Sequence, residues 1–266
     1  MSMKFLLSFA VVFLILLSCL SAGCVDQTPT QKDVLADVIA SLHTELSTTT
    51  LKAELAADSY ASYPTLKNAQ QILATLYQRT TLVHDMLIAD ENGIVIAVCP
   101  NNVKSTLGQD LSSYPPNKET FSHQDAYVSE FMRIENGMEA HLLSVPVEIS
   151  GEYAGYISMS FDPYRLFGAE QQKVQEMGYN IWVMQPDGVQ VFDVDVSEAG
   201  VNLRTDPAYS VVKDTADLVA ANPSGETTYI FTADNGTENV QKTAVWDTLT
   251  YGGREWRVVL TKSSIL

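Results

Sequence analysis

Ile88-Ala89-Asp90-Glu91-Asn92-Gly93-Ile94-Val95-Ile96-Ala97 sets two apolar runs around a polar turn, with Asn92-Gly93 at its centre. Asn-Gly between apolar runs is a strong hairpin signal. Downstream, Gly108-Gln109-Asp110-Leu111 and Tyr114-Pro115-Pro116 form a loop that leads into a short helix or turn. Three strand patterns follow at 126–134, 139–149 and 153–161, divided by Asn136-Gly137 and Ser150-Gly151. The order then recurs. A hairpin at 180–194 turns on Gln185-Pro186-Asp187-Gly188, and Gly200-Val201-Asn202-Leu203 echoes the first loop. A helix is predicted over 208–221. Strands follow at 227–233, 240–249 and 255–261, with turns at Asp234-Asn235-Gly236 and Tyr251-Gly252-Gly253. Landmark glycines keep their spacing: Gly93 to Gly188 is 95 residues, Gly108 to Gly200 is 92, and Gly151 to Gly252 is 101. The repeated order implies an α+β fold of two tandem modules, roughly 90 residues each, every one a five-stranded antiparallel sheet with its helix inserted after the second strand.

Upstream, Leu35, Ile39, Leu42 and Leu46 recur at spacings of four, three and four, the mark of an amphipathic helix. The stripe continues through Ala53, Ala57 and Tyr60, and Ser47-Thr48-Thr49-Thr50 is a weak helical patch where a bend is allowed. Pro64 introduces a second helix with Leu66, Ala69, Ile72, Leu73 and Leu76 on one face. The first helix is expected to lie along both modules.

Residues 1–23 read as an export signal. Lys4 supplies the positive start, and 5–20 is almost unbroken apolar sequence. At ~1.5 Å per residue that run spans roughly 24 Å, short of a ~30 Å hydrocarbon core, so it suits a signal better than a spanning helix. Ser21-Ala22-Gly23-Cys24 resembles a lipobox, which implies cleavage before Cys24 and its lipidation. An ordinary cleaved signal or an uncleaved anchor are the plainer alternatives. The expected organisation is a signal peptide at 1–23, a tether at 24–32, a helical segment at 33–81, a first module at 82–167 and a second at 168–262. No second apolar stretch approaches 18 residues, so no transmembrane helix or cytoplasmic output domain is expected after the anchor.

The chain carries 32 acidic and 16 basic residues, a net charge of −16. Such a surface repels phosphate backbones, so nucleic acid is not expected as a partner. Four histidines stand without metal-ligand spacing, and Asp193, Asp195 and Glu198 alternate on a predicted strand face without a glycine-turned calcium loop. No nucleophile–base motif or cofactor fingerprint appears, so no catalytic residue, metal or cofactor is assigned. With Cys24 acylated, Cys99 is alone and reads as a buried, inert thiol.

The order of helix, hairpin, Gly-x-Asp-Leu loop, Tyr127-Val128-Ser129 strand, Pro146-Val147 strand and Gly151–Asp162 final strand resembles the tandem Cache family of extracytoplasmic, PAS-like sensors. The resemblance covers residues 33–262. It implies that the first module is membrane-distal and holds the ligand, while the second is proximal and often empty. Amino-acid-binding members carry an Arg-x-Trp-Tyr cluster after the Gly-x-Asp-Leu loop. Here the matching stretch, Ser112 to Lys118, has no Arg and no Trp, whereas Asp162 matches the acid that takes the ligand ammonium.

Within the first module, Tyr127, Ser129, Phe131 and Arg133 fall on one face of a predicted strand, and Asp162 ends the last strand. Tyr127, Ser129, Arg133 and Asp162 are therefore the candidate ligand contacts, for an amine, amino acid, polyol or carboxylate. The bland reading makes Arg133 a solvated edge charge, Asp162 a cap before Pro163, and His141 a satisfied sheet histidine. The function implied is a lipid-anchored sensor facing the extracytoplasmic side and presenting its ligand to a membrane receptor or kinase. The rival is a ligand-free spacer.

Overall fold

In the computed structural model, which describes residues 29–114, 125–134, 138–232 and 239–265, the N-terminal apolar stripe forms one unbroken helix, α1 (Gln31–Ser62). The bend allowed at residues 47–50 is absent. Thr49 and Thr50 face the core instead, and the Thr50 hydroxyl meets that of Tyr251 at 2.7 Å. Tertiary packing overrides the weak propensity of the threonines. Thr65 caps α2 (Leu66–Arg79) by accepting from the Asn68 amide. That helix buries Ala69, Leu73 and Leu76, but its first residue Leu66 is exposed. The expected signal peptide, Cys24, the 115–124 loop and the turns at Asn136-Gly137 and Asp234-Asn235-Gly236 lie outside the described residues.

The first sheet contains β1 (Val83–Asp90), β2 (Val95–Cys99), β3 (Tyr127–Val128), β4 (Met132–Arg133), β5 (Glu139–Ile149) and β6 (Glu152–Phe161). Its order is β2-β1-β6-β5-β3, with β4 also on β5. After α3 (Pro163–Glu176) comes the second sheet, β7 (Asn180–Met184), β8 (Gln190–Phe192), β9 (Gly225–Thr232), β10 (Asn239–Tyr251) and β11 (Arg254–Ile265), in the order β8-β7-β11-β10-β9. Both sheets thus share one antiparallel order, and α4 (Lys213–Ala221) follows the second hairpin. Residues 207–209 ahead of it form a separate 3-10 turn started by Pro207, so α4 begins later than the sequence pattern suggested. Asp193, Asp195 and Glu198 also differ from expectation. β8 stops at Phe192, and these acids lie in a turn and a 3-10 helix, not along one strand face.

The repeat extends to the hydrogen bonds. Gly108 N donates to Val95 O at 2.8 Å and Leu111 N to Gly93 O at 2.9 Å; in the second module Gly200 N donates to Gln190 O at 2.8 Å and Leu203 N to Gly188 O at 3.0 Å. The Gly-x-Asp/Asn-Leu loop is therefore a clip folded back onto the hairpin. Gly93 (φ +84°) and Gly188 (φ +98°) make that approach feasible. A Cβ on Gly93 would stand 2.8 Å from Ser112 N, and one on Gly188 2.6 Å from Arg204 Cδ.

One apolar core runs along α1 and beneath both sheets. Leu42, Leu46 and Ala53 of the helix join Leu143, Ile157 and Met159 of the first sheet and Val258, Leu260 and Trp256 of the second. The N-terminal end of α1 belongs to the second sheet, where Gln31 Nε2 donates to Leu260 O at 2.8 Å. A separate cluster covers the other face of the second sheet, with Trp182, Trp246, Leu203, Ala216 and Val219.

Candidate ligand-binding site

On the face of the first sheet turned away from α1 lies a cavity of about 470 Å³. Its floor is Asp85 and Leu87 of β1, Val98 of β2, Leu142 of β5 and Ser158 and Ser160 of β6. Strand register explains this grouping: Asp85 faces Ser160 and Leu87 faces Ser158, while Ser144 on β5 also faces Ser158. Paired residues share a face, so one stripe of small hydroxyls and one carboxylate runs through apolar strands. Val103 and Thr106 of a 3-10 helix (Asn101–Thr106) after β2 close one side, and Gln109, Asp110 and Leu111 of the clip with Ser113 and Tyr114 just after it form the roof. Arg133 and Ile134 provide the wall beside β5.

The polar groups of the cavity are linked by hydrogen bonds. Ser160 Oγ donates to Asp85 Oδ1 at 2.6 Å, and His84 Nδ1 lies 3.3 Å from Oδ2, with the Asp85 side chain 18 % exposed. Ser144 and Ser158 hydroxyls pair at 3.1 Å. In the roof, Ser112 holds the Asp110 carboxyl below its usual range through hydrogen bonds from its hydroxyl and amide. The Tyr114 hydroxyl reaches Met132 Sδ at 3.9 Å, tying roof to wall. A half-buried carboxylate beside hydroxyls stabilises a ligand cation or donor.

Of the four residues picked from the sequence, Arg133 lines this cavity, whereas Tyr127, Ser129 and Asp162 are not in its lining. The predicted strand 126–134 is broken: β3 ends at Val128 and β4 begins at Met132, so the two-residue alternation does not carry through. Tyr127 and Ser129 are buried, and the Arg133 side chain is 72 % exposed with Glu139 3.4 Å away. Ser129 Oγ accepts from Leu142 N and donates to Glu130 O, both at 2.8 Å. Asp162 caps α3, its Oδ1 accepting from Tyr164 N at 2.8 Å. The sequence reading missed Asp85, Ser158, Ser160, Asp110 and Tyr114. Their signal was a charge and two alternating serines inside otherwise apolar strands, at positions that demand burial.

The second module fills the equivalent space. Leu87, Ser158 and Ser144 correspond in register to Trp182, Val259 and Trp246, two indoles where the first module has a leucine and a serine. Trp246 also donates from Nε1 to Asn222 O at 2.9 Å, which fixes the ring over the sheet. Cys99 is buried, and desolvation raises its thiol pKa, the state of an inert cysteine. Among the described residues, no group of three or more His, Cys, Asp or Glu side chains could hold a metal ion, and no helix is long and apolar enough to cross a membrane.

Two sheets of identical order, a clip loop on each hairpin and a long helix beneath both define the architecture. This is a tandem Cache fold. Residues 33–163 match the family described as HK/GC/Chemotaxis protein-like, sensor domain. An extracellular ligand-binding receptor from Desulfohalobium retbaense superposes with a TM-score of 0.72 at 22 % identity, covering 87 % of this chain and 40 % of that one. The chain therefore spans about two fifths of that receptor's length. The ligand-binding domain of the Pseudomonas aeruginosa amino acid chemoreceptor PctB, in complex with L-Gln, gives 0.64 at 11 % identity, with 87 % and 88 % covered. The ligand-binding domain of the Pseudomonas fluorescens chemoreceptor CtaA, in complex with L-isoleucine, gives 0.58 at 14 % identity, with 86 % and 89 % covered. No curated protein matches the sequence. These Cache structures share a fold with the chain; their ligands belong to them.

Proposed function

We propose that this chain is an extracytoplasmic, lipid-anchored Cache sensor that binds a small polar metabolite with a cationic group in the first-module cavity. The observation that carries the reading is the Asp85 carboxylate, set in the cavity floor beside Ser160 and Ser158 and under the Asp110–Tyr114 roof. A half-buried carboxylate offers a charge-assisted partner to a ligand cation. Arg133 on the wall suits a carboxylate or hydroxyl at the ligand's other end. Free amino acids and amines fit this pairing, and the amino-acid complexes of PctB and CtaA support the class.

In this reading Cys24 carries the lipid, and 24–32 tethers the fold. The second module, which meets the N-terminal end of α1, then lies nearest the membrane. Modules at 82–167 and 168–262 share helix α3, and the liganded first module is presented to a membrane receptor or kinase. A thermal-shift panel of amino acids, amines, polyols and small carboxylates tests the site. At 100-fold over its dissociation constant a ligand adds about 2.7 kcal/mol of stability. Asp85→Asn should abolish the shift from a cationic hit. A folded protein that no member of the panel stabilises would point to the ligand-free spacer.

A further inference from the structure

The wall of the cavity is held from outside its own module. Residues 127–134 have little pairing of their own, since β3 and β4 are two residues each. The second module supplies the missing partners. Val128 N donates to Gly252 O at 2.9 Å, and Val128 O accepts from Arg254 Nε at 2.8 Å. The same guanidinium bonds the Tyr127 hydroxyl, lies 5.2 Å from the centre of its ring, and reaches Glu130 Oε1 at 3.2 Å. Phe131 N, where the strand breaks, donates to Oε1 of the buried Gln185 at 3.1 Å. Gln185 opens the β7–β8 turn. The approach is close enough that a Cβ on Gly252 would stand 2.7 Å from Val128 Cγ2.

The chain held in this way leads directly to the cavity. Ser129 exchanges bonds with Leu142, N to O and N to Oγ, both at 2.8 Å, and Leu142 lines the floor. Two and three residues past Phe131 come Arg133 and Ile134, which line the wall. We infer that Arg254 and Gln185 of the second module are positioning residues for the first-module cavity, holding 127–134 and through it Arg133, Ile134 and Leu142. The inference rests on the reading of that cavity as the ligand site. It makes ligand occupancy and the seating of one module on the other linked equilibria, each shifting the other by the same factor.

Hydrogen exchange on the unliganded protein tests the positioning without requiring a ligand, so its failure is separate from failure of the ligand reading. Gln185→Met removes the acceptor at similar volume, and Arg254→Met removes the guanidinium. Each alone should speed exchange in 127–134 and 139–143 by about tenfold while leaving 155–161 and 180–184 unchanged. Arg204→Met breaks the ion pair with Asp217 at 2.7 Å elsewhere in the second module and should leave 127–134 as in the wild type. If Arg254→Met proves too unstable to measure, Gln185→Met carries the test. Unchanged exchange in 127–134, or an increase shared equally by the reference strands, would overturn the inference.

Discussion

Trp256 on β11 donates its indole Nε1–H to Nε2 of His141 on β5, 3.2 Å away and across the boundary between the modules. An indole nitrogen can only donate, so Nε2 accepts and Nδ1 carries the proton, which it gives to Ser129 O at 2.9 Å. The ring is fully buried against Phe131, Phe161 and Trp256. Burial chiefly lowers its pKa to about 4, and the nearby Arg254 charge lowers it further against the opposing Ser129 carbonyl.

This neutral histidine gives stability a defined pH dependence. The unfolded chain binds the proton near pH 6.5 and the folded one only near 4, so the unfolded state holds more protons in between. Stability from this group is complete above about 6.5 and falls as pH drops towards 4, by up to about 3 kcal/mol. Denaturant titrations at several pH values should show the slope, and His141→Phe should remove that component. An equal slope in the variant would refute the assignment.

Trp256→Phe keeps an aromatic ring in the core but leaves His141 Nε2 buried without its donor. It should cost about 1–3 kcal/mol in chemical denaturation, with Nδ1 still bonded to Ser129.

The cavity and the cap are separable. Asp85→Asn should leave the fold intact and remove binding of a cationic ligand. Asp162→Ala should cost about 1 kcal/mol through loss of the α3 cap and leave the ligand's thermal shift in place. If instead Asp162→Ala abolishes the shift, the ligand lies nearer α3 than the cavity described.

Filling separates the two modules. Trp246→Ala removes an indole packed among Trp182, Met184 and Val259 and the bond to Asn222 O. It should destabilise the protein by about 3–5 kcal/mol, read as a lowered denaturation midpoint. Ser158→Ala in the first module, where the space is already open, should cost far less.

The anchor has a direct check. Intact mass of membrane-extracted protein should begin at Cys24 with added lipid, and Cys24→Ala should release the protein from the membrane. Two acyl chains hold stably where one holds reversibly. A soluble wild-type protein starting elsewhere would contradict it.

Turn chemistry and period were sufficient for the architecture. Gly93 and Gly188 mark hairpins because their turns take a positive φ that glycine accepts without strain, and their repetition at 95 residues pointed to two modules. The cap at Asp162 was legible for the same reason, since an acid before Pro163 acts on its own neighbours. What lines a cavity is decided by partners far apart in the chain. Asp85 meets Ser160 only through strand register, and a strand's pattern shows that a face is polar without showing what covers it. The break after Val128 was equally hidden, because Gln185, 54 residues from Phe131, and Arg254, 126 residues from Val128, hydrogen-bond the chain where the strand stops. Turn chemistry and period determined the order of most elements, whereas long-range hydrogen bonding and packing carried α1 through its threonines, stopped the strand after Val128, and decided which faces enclose a cavity.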